Sequence, residues 1–505
     1  MIQLSDYIDE SLGFDGFAGE EAGQDLLKAM QAGQITGRDT VDQSLTQEPL
    51  KAESLEKTLK SLEFRMKDIQ LWDAIPKLAA YNTVEEYLQL ESYGVNRGGF
   101  YDEGELSDVE DSAYKRRAQL VKYIQVTGEV TYQAQIVRSH VEAMRKEVEN
   151  KSMWVMRKAD QALVHADSSI IPQEFNSLYS QHASIGSGDS NVWTSLDEWM
   201  NPNNGVVIDL RGEPLTQEVV ETSAVNIDAN FGNVDTLFGP PSVISGLAKD
   251  YFQRQRILMN SSGFRGTIGV NPKAIDTSFG EVALKQDKFM KKFPAKNLSA
   301  SATSAKAPNA PTIDANAALT GADVGSRFKA GETWTGALGD VFYAVSALNR
   351  YGESALAVFS NTTKVTLTAG QSIDLDFSDG GGAIPATGYQ IYRSKVTTST
   401  NATTDGILFY PLFKVSTAQL AAGYDGAAAT VVRDRNRFLP DTEEAFDVEM
   451  QSEVLSFKQL APISKLDLAV LGMSKRFIVF LFGTPILYTP KKMVRFLNIG
   501  PYVPA

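Results

Sequence analysis

One stretch constrains this chain more than any other. Val141, Met144, Val148, Val155, Ala159 and Leu163 recur at spacings of three, four and one seven, the period of a helix that buries one face. Ser139 with Glu142 forms a capping box ahead of the run, so the helix is expected from about Ser139 to His165, on the order of 40 Å long. A helix of that length is a spine against which the rest must pack. Met144, Trp154 and Met156 read as core positions on it, since Met and aromatic residues at helical spacing most often serve packing.

The segments before the spine differ in kind. Met1 to Leu50 carries ten acidic residues against two basic ones, a net −8 within a chain of formal charge −14. Its apolar residues recur only locally around Leu26 and Met30, the pattern of an arm with one short helix. Leu55, Leu59 and Leu62 then share a helical face. Pro76 breaks any helix, and Thr83 with Glu86 reads as a second capping box before Tyr87, Leu88 and Leu90. Gly94, Gly98 and Gly99 release the chain into a charged stretch with segregated signs. Asp102, Glu103, Glu105, Asp108, Glu110 and Asp111 precede Lys115, Arg116 and Arg117. The runs AQLVKYIQV and EVTYQAQIV follow, read as two strands separated near Gly128.

After the spine, 166–205 is loop-rich. VVIDLRG then gives a strand, TQEVVETSAVNI a helix, and GNVDTLFGPPSVISGLAKDYF a strand, a paired-proline break and a helix. Composition shifts near Asn297. Residues 301–440 hold 11 basic and 11 acidic residues, about 16% charged against 22% for the whole chain. DVFYAVSAL, TKVTLT, SIDLDF, GYQIYRS and LFYPLFKV are β-rich and separated by turn signals, as in a sandwich. The closing residues, KLDLAVLG and RFIVFLFGTPILY, are apolar strand segments too few to fold alone, so they are expected to complete the earlier α+β sheet. The β-rich segment is then an insertion.

Several classes of function are disfavoured. With 505 residues the chain exceeds one ordinary core. No cysteine is present, which removes disulfides, thiolate metal sites and a cysteine nucleophile. The opening MIQLSDYIDE has neither the basic start nor the apolar core of a signal peptide, and synthesis in a cytoplasm is expected. Arg476 to Tyr488 falls well short of the roughly 20 residues of a membrane helix and contains Gly483 and Pro485, so it reads as buried strand. The acidic balance opposes sequence-specific DNA binding, which draws its affinity from Lys and Arg.

The chemistry-bearing residues are sparse. The three histidines, His140, His165 and His182, lack ligand spacing, and no metal or other cofactor is called for. No phosphate loop, dinucleotide loop or nucleophile elbow occurs, and Ser54 with Lys57 matches SxxK without its companion motifs. The acids of 102–111 lack calcium-loop spacing. The more useful reading is electrostatic pairing between neighbouring subunits, with Asp102, Glu103, Glu105 and Asp108 on one side and Lys115, Arg116 and Arg117 on the other.

In this order, the elements resemble the major capsid proteins of tailed bacteriophages of the Hong Kong ninety-seven type. The stretches that carry the resemblance are LEKTLKSLEFRMKDIQLWDAIPKLAAYNTVEEY, GELSDVEDSAYKRRAQLVKYI, EVENKSMWVMRKADQALVHADSS, NIDANFGNVDTLFGPPSVISGLAKDYFQRQR and LYTPKKMVRFLNIG. The resemblance implies an α+β capsid fold. Residues 1–65 would be an N-terminal arm and 66–138 the start of the peripheral domain, with an extended loop over Gly98 to Tyr123. Residues 139–300 would be the spine and the peripheral and axial domains, 301–440 an inserted all-β sandwich, and 441–505 the return to the capsid core.

The implied function is self-assembly as hexamers and pentamers into an icosahedral head around double-stranded DNA. Portal, scaffold and decoration proteins would be partners, no membrane would be involved, and the chain would reside in the virion after synthesis in the host bacterial cytoplasm. Some relatives weld subunits through a Lys to Asn isopeptide bond, for which Lys115 or Lys122 would be the candidates, although no Asn and acid partner can be located. The insert resembles fibronectin type III or immunoglobulin-like modules through YAVSALNRYGES and TGYQIYRS, here in reverse of the usual order. The alternatives are a tail or adhesin protein, which would show fibrous repeats, and a carbohydrate-active enzyme, which would need a cleft with paired carboxylates.

Overall fold

The computed structural model describes residues 64–94, 100–106, 109, 111–136, 142–183, 193, 195–254, 273–330, 338–470 and 472–502. The acidic arm, the 54–62 segment, His140 and the Ser139 cap therefore lie outside the described residues.

The chain enters through helix α1 (Gln70–Ala74) and strand β1 (Lys77–Ala79), then makes a hairpin of β2 (Val84–Ser92) and β3 (Ala113–Leu120), followed by β4 (Lys122–Thr131). Short helix α2 (Tyr132–Ile136) leads towards the spine, α3 (Ala143–His165). Two sequence expectations are corrected here. The segment read as a capped helix around Tyr87 is the strand β2, because its exposure alternates residue by residue and it pairs with β3 along its length. Gly128 lies inside β4 and does not end a strand; the break falls at Val121. Gly128 is there for space, since a Cβ would stand 2.3 Å from Cζ of Phe477 on the neighbouring strand.

After α3 come α4 (Leu178–His182), α5 (Leu196–Trp199), β5 (Val207–Asp209), α6 (Gln217–Ala229), β6 (Thr236–Gly239), α7 (Pro241–Arg254), β7 (Ala274–Thr277) and β8 (Gly280–Gln286). Pro241 opens α7, where its fixed φ and missing N–H cost nothing. The next strands are β9 (Thr312–Ile313), β10 (Ala318–Ala322), β11 (Asp340–Val341), β12 (Tyr343–Asn349), β13 (Gly352–Glu353), β14 (Ala357–Val358), β15 (Val365–Thr366), β16 (Gln371–Ser378), β17 (Gly388–Ser394) and β18 (Phe409–Ser416). Helix α8 (Thr417–Ala422) and β19 (Val431–Asp434) follow, and the chain closes with β20 (Glu443–Val448), β21 (Leu455–Asp467), β22 (Ser474–Leu487) and β23 (Met493–Ile499).

Two sheets build the α+β body. The first has the order β1-β21-β22-β4. Strand periodicity puts Phe477, Val479 and Leu481 of β22 on the face covered by α3, where they share a core with Val155, Ala159 and Leu163. Met144, Val148 and Met156 pack partly against this core, whereas Trp154 is 37% exposed and departs from its expected core position. The second sheet has the order β5-β23-β20-β6-β8-β7. Its Ala445, Val494 and Phe496 face Val220 and Ile227 of α6 and Val243 and Leu247 of α7, while Phe238, Phe446 and Met493 face the spine core. Covered on both sides, β23 is buried along its whole length. The C-terminal strands thus pair with β4, β5 and β6, which precede residue 301.

Between β8 and β20 the elements β9 to β19 form their ladders with one another. The sheet through β10, β16 and β19 and the sheet through β12, β17 and β18 enclose one core, containing Tyr343, Val345, Leu375, Phe377, Ile391, Val415 and Val432. Inside it Arg393 is ion-paired to Asp434 at 3.0 Å, and Tyr343 donates to the same carboxylate at 2.8 Å. Arg327 reaches back to Asp209 of β5 at 3.2 Å.

Candidate assembly surface

The β2–β3 hairpin has two unlike faces. Register sets Tyr87 opposite Arg117 and Gln89 opposite Lys115. The ring of Tyr87 meets Tyr488 edge-on at 5.1 Å, Gln89 donates to the carbonyl oxygen of Tyr488 and accepts from Nε of Arg117, and Gln119 accepts from Asn176 at 3.2 Å. That inner face ties the hairpin to the body. The outer face carries Leu88, 73% exposed, with Tyr114 at 69% and Leu120 at 54%, joined by Val84 and Leu90. Phe100, Leu106 and Val109, in the stretch that joins the strands, are also exposed. A row of apolar side chains on one face of a two-stranded ribbon is an unsatisfied surface.

Of the charged residues read from the sequence, those the structure describes lie in this hairpin and the stretch that joins its strands, in different settings. Asp102, Glu103 and Glu105 are exposed, and the Glu105 amide donates to the Asp102 carbonyl oxygen at 3.0 Å in a local turn. Asp108 lies outside the described residues. Lys115 is half-buried on β3, Arg116 is ion-paired with Glu86 of its own hairpin, and Arg117 turns inward to Gln89. Lys122 donates to the carbonyl oxygen of Pro172 at 2.5 Å. In the sequence the apolar outer row is hidden behind TVEE, which satisfies a helix start on paper; the alternation of Leu88 and Leu90 with Tyr87 and Gln89 is the strand signal there.

The clefts and buried carboxyls bear on the enzymatic alternative. A cleft of about 1270 Å³ is lined by Asp209, Arg211, Arg327, Arg433 and Arg435 among others. Its guanidinium groups are engaged: Arg433 grips Asp374 at 2.7 and 2.9 Å, and Arg435 bonds Asp323 at 2.8 Å and Asp425 at 2.9 Å. The arginine partner and two further donors hold Asp323 down at about 2, against the push of burial.

Asp160 of the spine and Asp287 form a close carboxyl pair, and both are buried. They are committed to backbone: Asp160 accepts from the Trp72 amide at 2.7 Å, and Asp287 accepts from Gln70, Leu71 and Phe289. Burial, then the neighbouring Asp287, pushes the Asp160 carboxyl up to about 9.

His182 is equally committed. Trp199 donates to its Nδ1 at 3.0 Å, so the ring is neutral and its Nε2 donates to the Met493 carbonyl oxygen at 2.9 Å; burial pushes its pKa down to about 3. Among the described residues no group of three or more His, Asp or Glu is placed to hold a metal, and no helix is long and apolar enough to cross a membrane.

No family model matches the chain. It is 22% identical over 477 residues to the major capsid protein of Staphylococcus phage K, covering 94% of this chain and 95% of that one. The same figures hold for the major capsid protein of Staphylococcus phage S25-3. Among solved structures it is similar to the capsid of a native GTA particle, at 7% identity and a TM-score of 0.43 over 90% of this chain and 99% of that one. It is also similar to a structure from Mycobacterium phage Bobi, at 9% identity and a TM-score of 0.37 over 89% and 96%. The relatives that match along nearly the whole length are structural proteins of phage particles. The function they carry is the one read from the sequence, major capsid protein of a bacteriophage, in preference to tail adhesin.

Proposed function

We propose that many copies of this chain assemble as hexamers and pentamers into the icosahedral head of a tailed phage, which encloses double-stranded DNA without reading its sequence. The chain's role in this reading is structural and not catalytic, and its place is the virion. The observation that carries the proposal is the β2–β3 hairpin, anchored by Tyr87 and Gln89 while its outer row of Leu88, Tyr114 and Leu120 stays open to solvent. Apolar area of this kind is stabilised when a neighbouring copy covers it. Asp102, Glu103, Glu105 and Asp108 would flank that contact with negative charge, and Lys115, Arg116 and Arg117 would bring the opposite sign on the same element.

The organisation in this reading is an arm over 1–65, the peripheral start with its extended loop over 66–138, the spine and body over 139–300, an inserted module over 301–440, and a return over 441–505. The separate ladders of β9 to β19 and the core enclosed between their two sheets support the immunoglobulin- or fibronectin-like nature of the module. Portal, scaffold and decoration proteins complete the expected partners.

Negative-stain electron microscopy of the protein, expressed alone and with its neighbouring viral genes, tests the reading. Rings or closed shells are expected; monomers or fibres under both conditions would refute it.

A further inference from the structure

Asp447 occupies the middle of the six-stranded sheet, opposite Val494 of β23 and Leu237 of β6, and is fully buried. Its side chain meets α6. Oγ of Ser223 lies 3.0 Å from Oδ2 of Asp447 and 2.8 Å from the carbonyl oxygen of Val220. A hydroxyl has one proton, so it cannot donate to both oxygens at once. With an ionised carboxyl, one of these two short contacts would set acceptor against acceptor. The other carboxyl oxygen, Oδ1, is buried with no well-formed hydrogen bond, and the Val448 amide lies near the carboxyl as a further donor. The arrangement closes when Asp447 is protonated: its O–H donates to Ser223 Oγ, and Ser223 donates to the Val220 carbonyl oxygen.

The surroundings favour that state. Just ahead of β6, Asp235 contributes like charge. Glu449, two residues beyond Asp447, is answered by Lys492 at 3.9 Å and by Asn233. Helix α7 presents Val243 and Leu247 to the same core. Of the acids of α6, Glu218 and Asp228 are exposed and Glu221 binds the Ser278 amide. Burial and Asp235 push the Asp447 carboxyl up to about 7.

We propose that Asp447 and Ser223 form a proton-operated latch: with the carboxyl protonated, α6 is held on the sheet, and with it ionised, the helix lifts more readily. For a carboxyl raised in the packed state, the hold is strongest below the ordinary carboxylate range. It weakens as pH rises towards the raised value and is level above it. The helix concerned borders the large cleft through Thr222 and Asn226, so its lifting would reshape that surface.

Hydrogen exchange of the full-length protein, corrected for intrinsic rates, tests the latch. Protection of the 217–229 amides is expected to fall by roughly tenfold per pH unit between pH 5 and 7 and then level off, while the spine amides hold steady. Asp447→Asn should flatten that profile. Asp235→Asn, which removes the like charge and keeps the shape, should move its midpoint to lower pH, and this serves if Asp447→Asn fails to fold. A pH-independent profile for α6 in the unmodified chain, or a midpoint unmoved by Asp235→Asn, would overturn the proposal.

Discussion

Nζ of Lys414, on β18, donates to the carbonyl oxygen of His165 at 3.1 Å, so a residue from the β-rich segment caps the last turn of the spine helix. A cation at a helix C-terminus meets both an orphan carbonyl and the negative end of the dipole. Burial lowers the pKa of the ammonium, with the carboxylates of Glu174 and Asp167 working the other way. Lys414→Met keeps the aliphatic stem and removes the cap. It should cost about 1–2 kcal/mol by thermal or denaturant unfolding, with increased hydrogen exchange confined to the end of α3.

The Asp160–Asp287 pair predicts a pH effect of defined sign. The Asp160 carboxyl is raised to about 9 from an ordinary 3.8, so its contribution is fully favourable below the ordinary value and is lost as pH rises towards the raised one. Asp160→Asn can still accept from the Trp72 amide and donate to Asp287, and it cannot ionise. The variant should melt above the parent protein at pH 8, by on the order of 1–3 kcal/mol, and the gap should close towards pH 4.

His182 has the opposite sign. Its ring is neutral in the fold, with the pKa lowered from 6.5 to about 3, and His165 is lowered to about 4, both mainly through burial. Their contribution is complete above pH 6.5 and is lost as pH falls towards the depressed values. Measured against the parent, His182→Gln should therefore gain in unfolding midpoint as pH falls from 6.5 to 4, because it removes a ring that must charge on unfolding.

The hairpin separates folding from assembly. Leu88 is largely exposed and lies across the ladder from Arg116, so Leu88→Asp should change the stability of the unassembled chain by no more than about 0.5 kcal/mol. Electron microscopy and sedimentation should nonetheless find few or no shells. Normal shell yield with Leu88→Asp would show that this face is not an interface.

Gly128→Ala adds one methyl against the ring of Phe477, where a Cβ would stand 2.3 Å away. The ring or strand must shift, at a cost of about 1–3 kcal/mol, measurable by denaturant titration.

Strongly periodic elements were legible in the sequence and those set by tertiary context were not. The spine was readable because Val155, Ala159 and Leu163 fall on one stripe, and all three are fully buried. The apolar run of β22 was readable as buried strand for its β-branched and aromatic content. TVEEYLQL misled because a Thr–Glu pair three apart satisfies a capping box on paper, while the ladder with β3 outweighs local preference. The near neighbours of two of the charges in 102–117, Glu86 for Arg116 and Gln89 for Arg117, come from a strand about 30 residues earlier, which local spacing does not report. The carboxyl pair of Asp160 and Asp287 and the ring of His182 between Trp199 and Met493 join distant segments, and no local spacing reports them.

Strand β20 hydrogen-bonds to β6 although the β-rich segment lies between them in the chain, and β20 in turn carries β23. At a translation rate of about 5–20 residues per second, roughly 10–40 seconds separate the emergence of β6 from that of its neighbour. Strands β9 to β19 need no later sequence for their ladders and can complete them in that interval. Meanwhile β6 and β8 wait beside each other on the ribosome with an open edge, a template for mispairing with other nascent chains. The timetable makes the last 65 residues the clasp of the body and assigns the greatest need for chaperone protection to those tens of seconds of synthesis, before any shell contact can form.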